Sequence, residues 1–367
     1  AGGGDLYLFR PGIGEAKCLS DLVPGIVRDM AFTADGERLV ANYGHGITVV
    51  HSVWSGRAPV VLQHEGHYIV DARVFPDSER IITLGAGWRA SVWNVTSGDE
   101  IQRYDVSRAE GHGGHSVIRL LLGGDAFATG VQGPAFIWDM DKPAPRSLSR
   151  SGFRHGKLRF LDASPCGAKL VTMGWDSSIA LWSAKDGALE HTFDTPSPWP
   201  AVVAISVGGT RVAYATDREV HVWNGRTGEL VRRIPMPGGH ARIALDAEGD
   251  RLFTVTGAAA GIWNVASGER SAVFDGQLNG SVIDMSVSPG SRWIGASVRR
   301  LAGGVEADVV VDRGIVWNAH TGNVLHHVEV SHRFAAAHRF SRITVGPTFS
   351  MADELVATWQ DGRAAHV

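Results

Sequence analysis

Short apolar segments with a two-residue alternation recur along the whole chain, separated by turns rich in glycine, aspartate and serine. Helical spacing at i, i+3, i+4 and i+7 is absent throughout, which leaves little room for a Rossmann or barrel enzyme core. The stretch from Leu158 to Trp182 shows the unit. Leu161-Asp162-Ala163-Ser164-Pro165-Cys166-Gly167 runs from a strand into a turn, Lys169-Leu170-Val171-Thr172 forms the next strand, and Gly174-Trp175-Asp176-Ser177 turns again. Ile179-Ala180-Leu181-Trp182 is a third strand, and Leu189 to Phe193 a fourth.

The unit repeats. Trp93, Trp182, Trp223, Trp263 and Trp317 each have glycine five residues on, at Gly98, Gly187, Gly228, Gly268 and Gly322, and Trp138-Asp139 is a sixth member without the glycine. Successive tryptophans are 45, 44, 41, 40 and 54 residues apart, the length of one four-stranded blade except for the last. Weaker copies precede them at Phe9 with Gly14 and at Val50 with Gly56. Besides the copy beginning at Leu158, inner strands are expected near 27 to 32, 70 to 75, 117 to 122, 201 to 207, 241 to 246, 281 to 287 and 341 to 345. The fold predicted is an all-β closed β-propeller of four-stranded antiparallel blades, forming one domain over residues 1–367. Eight blades are counted, or seven if the segment 27–56, which has no well-placed tryptophan, is something else.

These repeats resemble the WD-repeat family over nearly the whole chain. Gly66-His67, Gly114-His115 and Gly239-His240 match the family's Gly-His pair, and Phe32-Thr33-Ala34-Asp35-Gly36 and Phe75-Pro76-Asp77 its first turn. The resemblance implies a structural tetrad of histidine, turn aspartate, tryptophan and a hydroxyl residue, for which the best set is His155, Asp176, Trp182 and Thr172. Among the repeat tryptophans only Trp138-Asp139 is a literal Trp-Asp, and the turn aspartate is clear only at Asp176, Asp217 and Asp361, so most blades must be held by packing. The resemblance implies an interaction scaffold and leaves its partner open, because the family carries many roles on one scaffold and often adjoins signalling domains in longer chains.

Leu6 to Phe9 and the last residues both read as third strands, so the two ends supply one strand too many for a shared closing blade. Either Leu6 to Phe9 is the third strand and the last residues lie outside, or the C-terminal copy is complete and Leu6 to Phe9 adds elsewhere. Arg299 to Glu306 and Val330 to Arg342 read as loops inserted around the copy at Trp317.

Composition narrows the function. The chain has 367 residues, 35 lysines plus arginines against 38 aspartates plus glutamates, and no apolar run long enough to span a bilayer. Neither nucleic acid nor membrane is expected as a partner. Two isolated cysteines, Cys18 and Cys166, make no disulfide framework and fit a reducing, cytoplasmic compartment. Ala1-Gly2-Gly3-Gly4 reads as a trimmed end with no signal-peptide pattern.

No nucleophile elbow, phosphate loop or zinc-protease motif is present, and no catalytic residue or cofactor is assigned. His64-Glu65-Gly66-His67 and His112-Gly113-Gly114-His115 have a zinc-like spacing, but they fall where the repeat places its Gly-His turn, and no metal is expected. Trp88, Trp175 and Trp359 fall in or near turns between second and third strands, Trp199 lies between blades, and Trp54 sits towards the opposite side. With Arg89, Arg218, Tyr43 and His45 in equivalent loops, these rings outline a rim face suited to a protein or peptide. Burial of the same rings at blade seams accounts for them equally well. The function expected is a non-catalytic protein-interaction platform, with a propeller enzyme or a small-ligand or carbohydrate binder using the central channel as the alternative.

Overall fold

The computed structural model describes residues 5–9, 16–19, 27–43, 46–64, 68–85, 87–106, 117–130, 135–142, 144–148, 158–176, 178–193, 195, 202–236, 241–256, 259–274, 278, 280–302, 309–333, 348–349 and 356–360. Seven four-stranded antiparallel meanders follow one another: blade 1 (27–63), blade 2 (69–105), blade 3 (117–147), blade 4 (158–193), blade 5 (202–235), blade 6 (242–273) and blade 7 (281–333). A further four-stranded sheet, also antiparallel throughout and called the mixed sheet because it joins strands from both ends of the chain, has the order Thr348–Phe349, Val356–Gln360, Asp5–Phe9, Ala16–Cys18. In it Asp5 to Phe9 pairs antiparallel with Val356 to Gln360, from Asp5↔Gln360 to Phe9↔Val356. The inner strand of each sheet touches that of the next, from blade 1 through blade 7 to Thr348–Phe349 and back to blade 1. The architecture is an all-β propeller.

One register explains the repeated tryptophan. The pairs Ile81↔Trp93, Phe127↔Trp138, Leu170↔Trp182, Val212↔Trp223, Leu252↔Trp263 and Ile294↔Trp317 place each indole opposite the second residue of its neighbouring strand. From there the ring turns toward the preceding blade: Trp93 packs with Val40, Val50 and Leu62 of blade 1, and Trp317 with Phe253, Val255 and Phe274 of blade 6. Indole N–H groups donate to a threonine two residues along the second strand, Trp93 to Thr83, Trp138 to Thr129, Trp182 to Thr172 and Trp263 to Thr254, at 2.8 to 2.9 Å. The buried donor is thereby paired.

The glycine five residues on follows from the next turn. Asn94 Oδ1 accepts from the backbone N–H of Thr96 and Ser97, and Gly98 N–H returns to the Asn94 carbonyl at 2.9 Å. That closure puts Gly98 at φ 79°, and the equivalent glycines lie between 70° and 78°.

In blade 1 the register corrects the sequence reading. Leu39 pairs with His51, so His51 stands in the tryptophan position and Val50 beside it. Gly56 is five residues after His51, which restores the repeat spacing. Val49 and Val53, on the same side as His51, pack with Leu6 and Leu8 of the mixed sheet. His51 is 3% exposed, its second-strand neighbour is Ala41 where blades 2, 3, 4 and 6 have threonine, and among the described residues its Nε2 has no hydrogen-bond partner.

Other expectations shift as well. Asp5–Phe9 is the third strand of the mixed sheet, and its second strand is Val356–Gln360, while 361–367 fall outside the described residues. The expected inner strand at 341 to 345 also lies outside them, and the innermost strand is Thr348–Phe349. The enlargement of blade 7 is not a loop at its base. Trp293–Ala302, Val309–Asn318 and Val324–Arg333 are strands of ten residues each, paired as far as Ala302↔Val309 and Val309↔Arg333. The β-branched run Val309-Val310-Val311 favours continued pairing over a loop.

Two stability predictions follow from these seams. Replacing Thr172 by valine leaves the Trp182 indole N–H buried without its acceptor and is expected to cost about 1–3 kcal/mol, read as a lower urea midpoint at unchanged slope. Burial lowers His51 to about 4 from an ordinary value of 6.5, and burial, opposed by Glu100, does the same to His64. The unfolded chain therefore takes up these protons first, so stability is complete above pH 6.5 and is lost as pH falls toward 4. The loss from His51 alone should reach about 3 kcal/mol by pH 4. Thermal melts of wild type and His51→Phe between pH 7 and 4.5 test this, the variant losing less on acidification.

Candidate interaction site

In a meander the turns between second and third strands lie at the same end as the connections between blades, and the remaining turns lie at the other end. Trp88, Arg89, Trp175, Asp176 and Arg218 sit at or beside second-to-third turns, in blades 2, 4 and 5, and so share one face. Trp175 is 51% exposed, and the guanidinium of Arg159, from the inner strand of the same blade, lies 5.4 Å from its ring centre. That contact fixes the indole at the channel side of the turn. Arg218, one blade on, has a side chain 89% exposed, with Asp217 at 3.9 Å.

Trp88 differs from Trp175. Its backbone adopts φ 60°, its N–H donates to the Gly85 carbonyl and its carbonyl accepts from Val106. A bulky residue in that region is strained, and the half-buried ring packs beside a core of Leu84, Ala90, Val106 and Phe127. It serves both the seam and the face. Arg89 is exposed and borders a cavity of about 190 Å³ shared with His64, Trp93, Glu100 and Arg103.

One rim assignment is overturned. Tyr43 ends the second strand of blade 1 at 2% exposure and packs with Leu6, Val27 and Leu39, because its ring seals the seam to the mixed sheet. Trp359 is the penultimate residue of its strand, opposite Leu6. Trp199, His45 and His155 are outside the described residues. Of the expected tetrad, Trp182 bonds Thr172, while the exposed Asp176 caps its own turn by accepting from Ser178 N–H and Oγ at 3.1 and 2.6 Å. Among the described residues no group of three or more histidine, cysteine or acidic side chains could hold a metal; Glu65 to His67 and His112 to His115 lie outside them.

The inner wall carries an ion-pair belt that pattern reading missed. Arg73 bonds Asp29 of blade 1 at 2.8 Å and Asp71 of its own strand at 2.7 Å. Arg119 of blade 3 bonds Asp71 at 3.0 Å and Asp162 of blade 4 at 2.6 Å. Asp71 also accepts N–H bonds from Ala72 and Ile118, so both carboxylate oxygens are saturated. Asp29, Asp71 and Asp162 each accept the N–H of the following residue, and a bulge interrupts the pairing just before Asp29 and Asp71. Burial in the wall pushes the Asp29 carboxyl up, against the opposing charge of Arg73. In the inner strand of blade 5 the belt gives way to Val202-Val203-Ala204-Ile205, and in blade 6 Arg242 spans to the Ile283 carbonyl of blade 7 instead. The signal was present as charged residues inside predicted inner strands, but cross-blade pairing requires the ring.

Blades of this kind around one channel define a β-propeller. No protein-family model matches the chain. It is similar to cilia- and flagella-associated protein 52 of Sus scrofa, 24% identical over 235 residues, and spans 59% of this chain but only 37% of that protein. The crystal structure of the computationally designed Ika8 protein has the same fold, with a TM-score of 0.64 and 14% identity over 91% of this chain and 96% of that one. No helix among the described residues is long and apolar enough to cross a membrane.

The belt makes a direct prediction. In Asp71→Asn the neutral amide cannot satisfy two guanidinium groups and two N–H donors, so unfolding should become easier by about 3 kcal/mol, at the low end for a broken buried pair because the wall opens to the channel. Chemical denaturation against wild type measures it.

Proposed function

We propose that this protein is a non-catalytic interaction platform of WD-repeat type, and that the face carrying Trp175, Arg159, Arg218, Arg89 and part of Trp88 receives a protein partner. Trp199, Trp359 and His45 were assigned to the same face from sequence and remain part of the proposal. The observation that carries it is Trp175: a half-exposed indole beside a guanidinium, one blade from an almost fully exposed arginine, is the arrangement that concentrates binding energy at protein interfaces. Arginine exceeds acid among these residues, so the expected partner segment is acidic with an aromatic or aliphatic anchor.

Counting the mixed sheet as an eighth blade closes the ring, and the continuous cycle of inner-strand contacts supports that count and a single domain over 1–367. Likeness to part of a longer cilia- and flagella-associated protein supports a scaffold or sensor role within a larger chain, and the balanced charge and two isolated cysteines of the sequence support a cytoplasmic setting in which nucleic acid, membrane and cofactor play no part.

The test compares wild type with Trp175→Ala/Arg218→Glu, two exposed positions whose exchange should leave the melting temperature unchanged. Proteins captured by wild type from its source cells should bind the double variant at least about tenfold more weakly. Equal capture by a folded variant would remove this face from consideration.

A further inference from the structure

The second strands of blades 1 to 6 have five or six residues, whereas that of blade 7 has ten, as do its third and outer strands. From the residue opposite the repeat tryptophan, the second strand of blade 2 runs on four residues, Ile81 to Gly85, and that of blade 7 eight, Ile294 to Ala302. The extra length stands on the face of the second-to-third turns and rises about 13 Å above an ordinary blade. The inner strand stops short of it, with Ser281 opposite Arg299, so beyond that row the sheet has three strands.

Its outer strand, Val324–Arg333, compares with two to six residues in the other blades, and among the described residues no strand pairs with its second edge. Past the bulge at Val316 and Trp317 its ladder is unbroken from His326 to Arg333, and it holds neither proline nor lysine, the residues that commonly block strand addition. A long, regular edge of this kind is a template for a further strand. The charges of the ladder say which strand fits. Asp312 is opposite Arg299 and Glu329 opposite Arg313, so each carboxylate has an arginine across from it. Arg333, by contrast, is opposite Val309.

We propose that this edge pairs antiparallel with the same edge of a second copy of this chain, about a two-fold axis at Ser331. In that register Glu329 of each copy is opposite Arg333 of the other, Val330 opposite His332, and Ser331 opposite itself. Arg333 gains the carboxylate that its own ladder does not offer, and Glu329 takes a place between two arginines, as Asp71 does between Arg73 and Arg119 in the channel wall. An axis at Glu329 would instead set that residue opposite itself, with like charges facing. The paired stretch, 329 to 333, lies at and above the rim, so the two propellers stay apart and share one sheet with three strands from each. So short a ladder makes a small interface, and a weak, reversible dimer is expected. It does not depend on the Trp175 face.

Analytical ultracentrifugation of the whole chain between about 1 and 100 µM tests this, and wild type should pass from monomer to dimer over that range. Arg333→Glu and Glu329→Arg each set like charges opposite one another at both ends of the paired stretch, and each should weaken self-association at least about tenfold. Arg333→Glu changes a residue opposite valine and should leave the melting temperature as it is. An equimolar mixture of the two variants places opposite charges at both ends again and should dimerise as wild type does, while Trp175→Ala/Arg218→Glu should dimerise unchanged. A wild type that stays monomeric throughout, which would leave the edge to a different partner, would overturn the proposal. A dimer indifferent to Arg333→Glu, a dimer lost in Trp175→Ala/Arg218→Glu, or folded variants that stay monomeric when mixed would do the same.

Discussion

The packing of an indole against the blade before it, in six of the seven blades, is the contact on which this molecule depends. A four-stranded sheet alone cannot bury both of its faces, so each blade is stable only because its neighbour's large ring covers it. In four of these blades a hydrogen bond from the indole to a threonine fixes its orientation, and the tight turn with its left-handed glycine sets where the outer strand begins. Seam, register and outer strand are consequences of the same few residues, which is why they recur together.

Variation in the repeat marks the places where the ring departs from a uniform scaffold. His51 replaces the indole where blade 1 meets the sheet built from both chain ends, and the buried imidazole has no acceptor or donor to match its Nε2. The shortened outer strand of blade 3 leaves Trp138 beside an open groove. Blade 7 extends three strands well beyond the length of the others. The belt from Asp29 to Asp162 stiffens the channel wall of blades 1 to 4, and the wall beyond relies on apolar strands and an arginine-to-carbonyl bridge. The exposed aromatic and guanidinium groups at Trp175 and Arg218 therefore stand on a scaffold whose geometry is set independently of them.

Strand periodicity, the tryptophan spacing and the turn glycines determined by themselves that this chain is all-β and built of four-stranded blades, because each of those features is local and repeats with the blade. Trp175 and Arg218 could be placed at exposed turns for the same reason. What only the tertiary structure decided is everything that crosses a seam. Tyr43 and Trp88 read as turn residues, yet the ring of one is buried against the mixed sheet and the other is half taken up by the core, since burial depends on the neighbouring blade and not on the residue's own turn. His51 could not be aligned until pairing with Leu39 set its register, for a one-residue slip moves every side chain to the opposite face. The ion-pair belt and the groove beside Trp138 join residues some forty positions apart, and that proximity exists only once the blades close around a common axis.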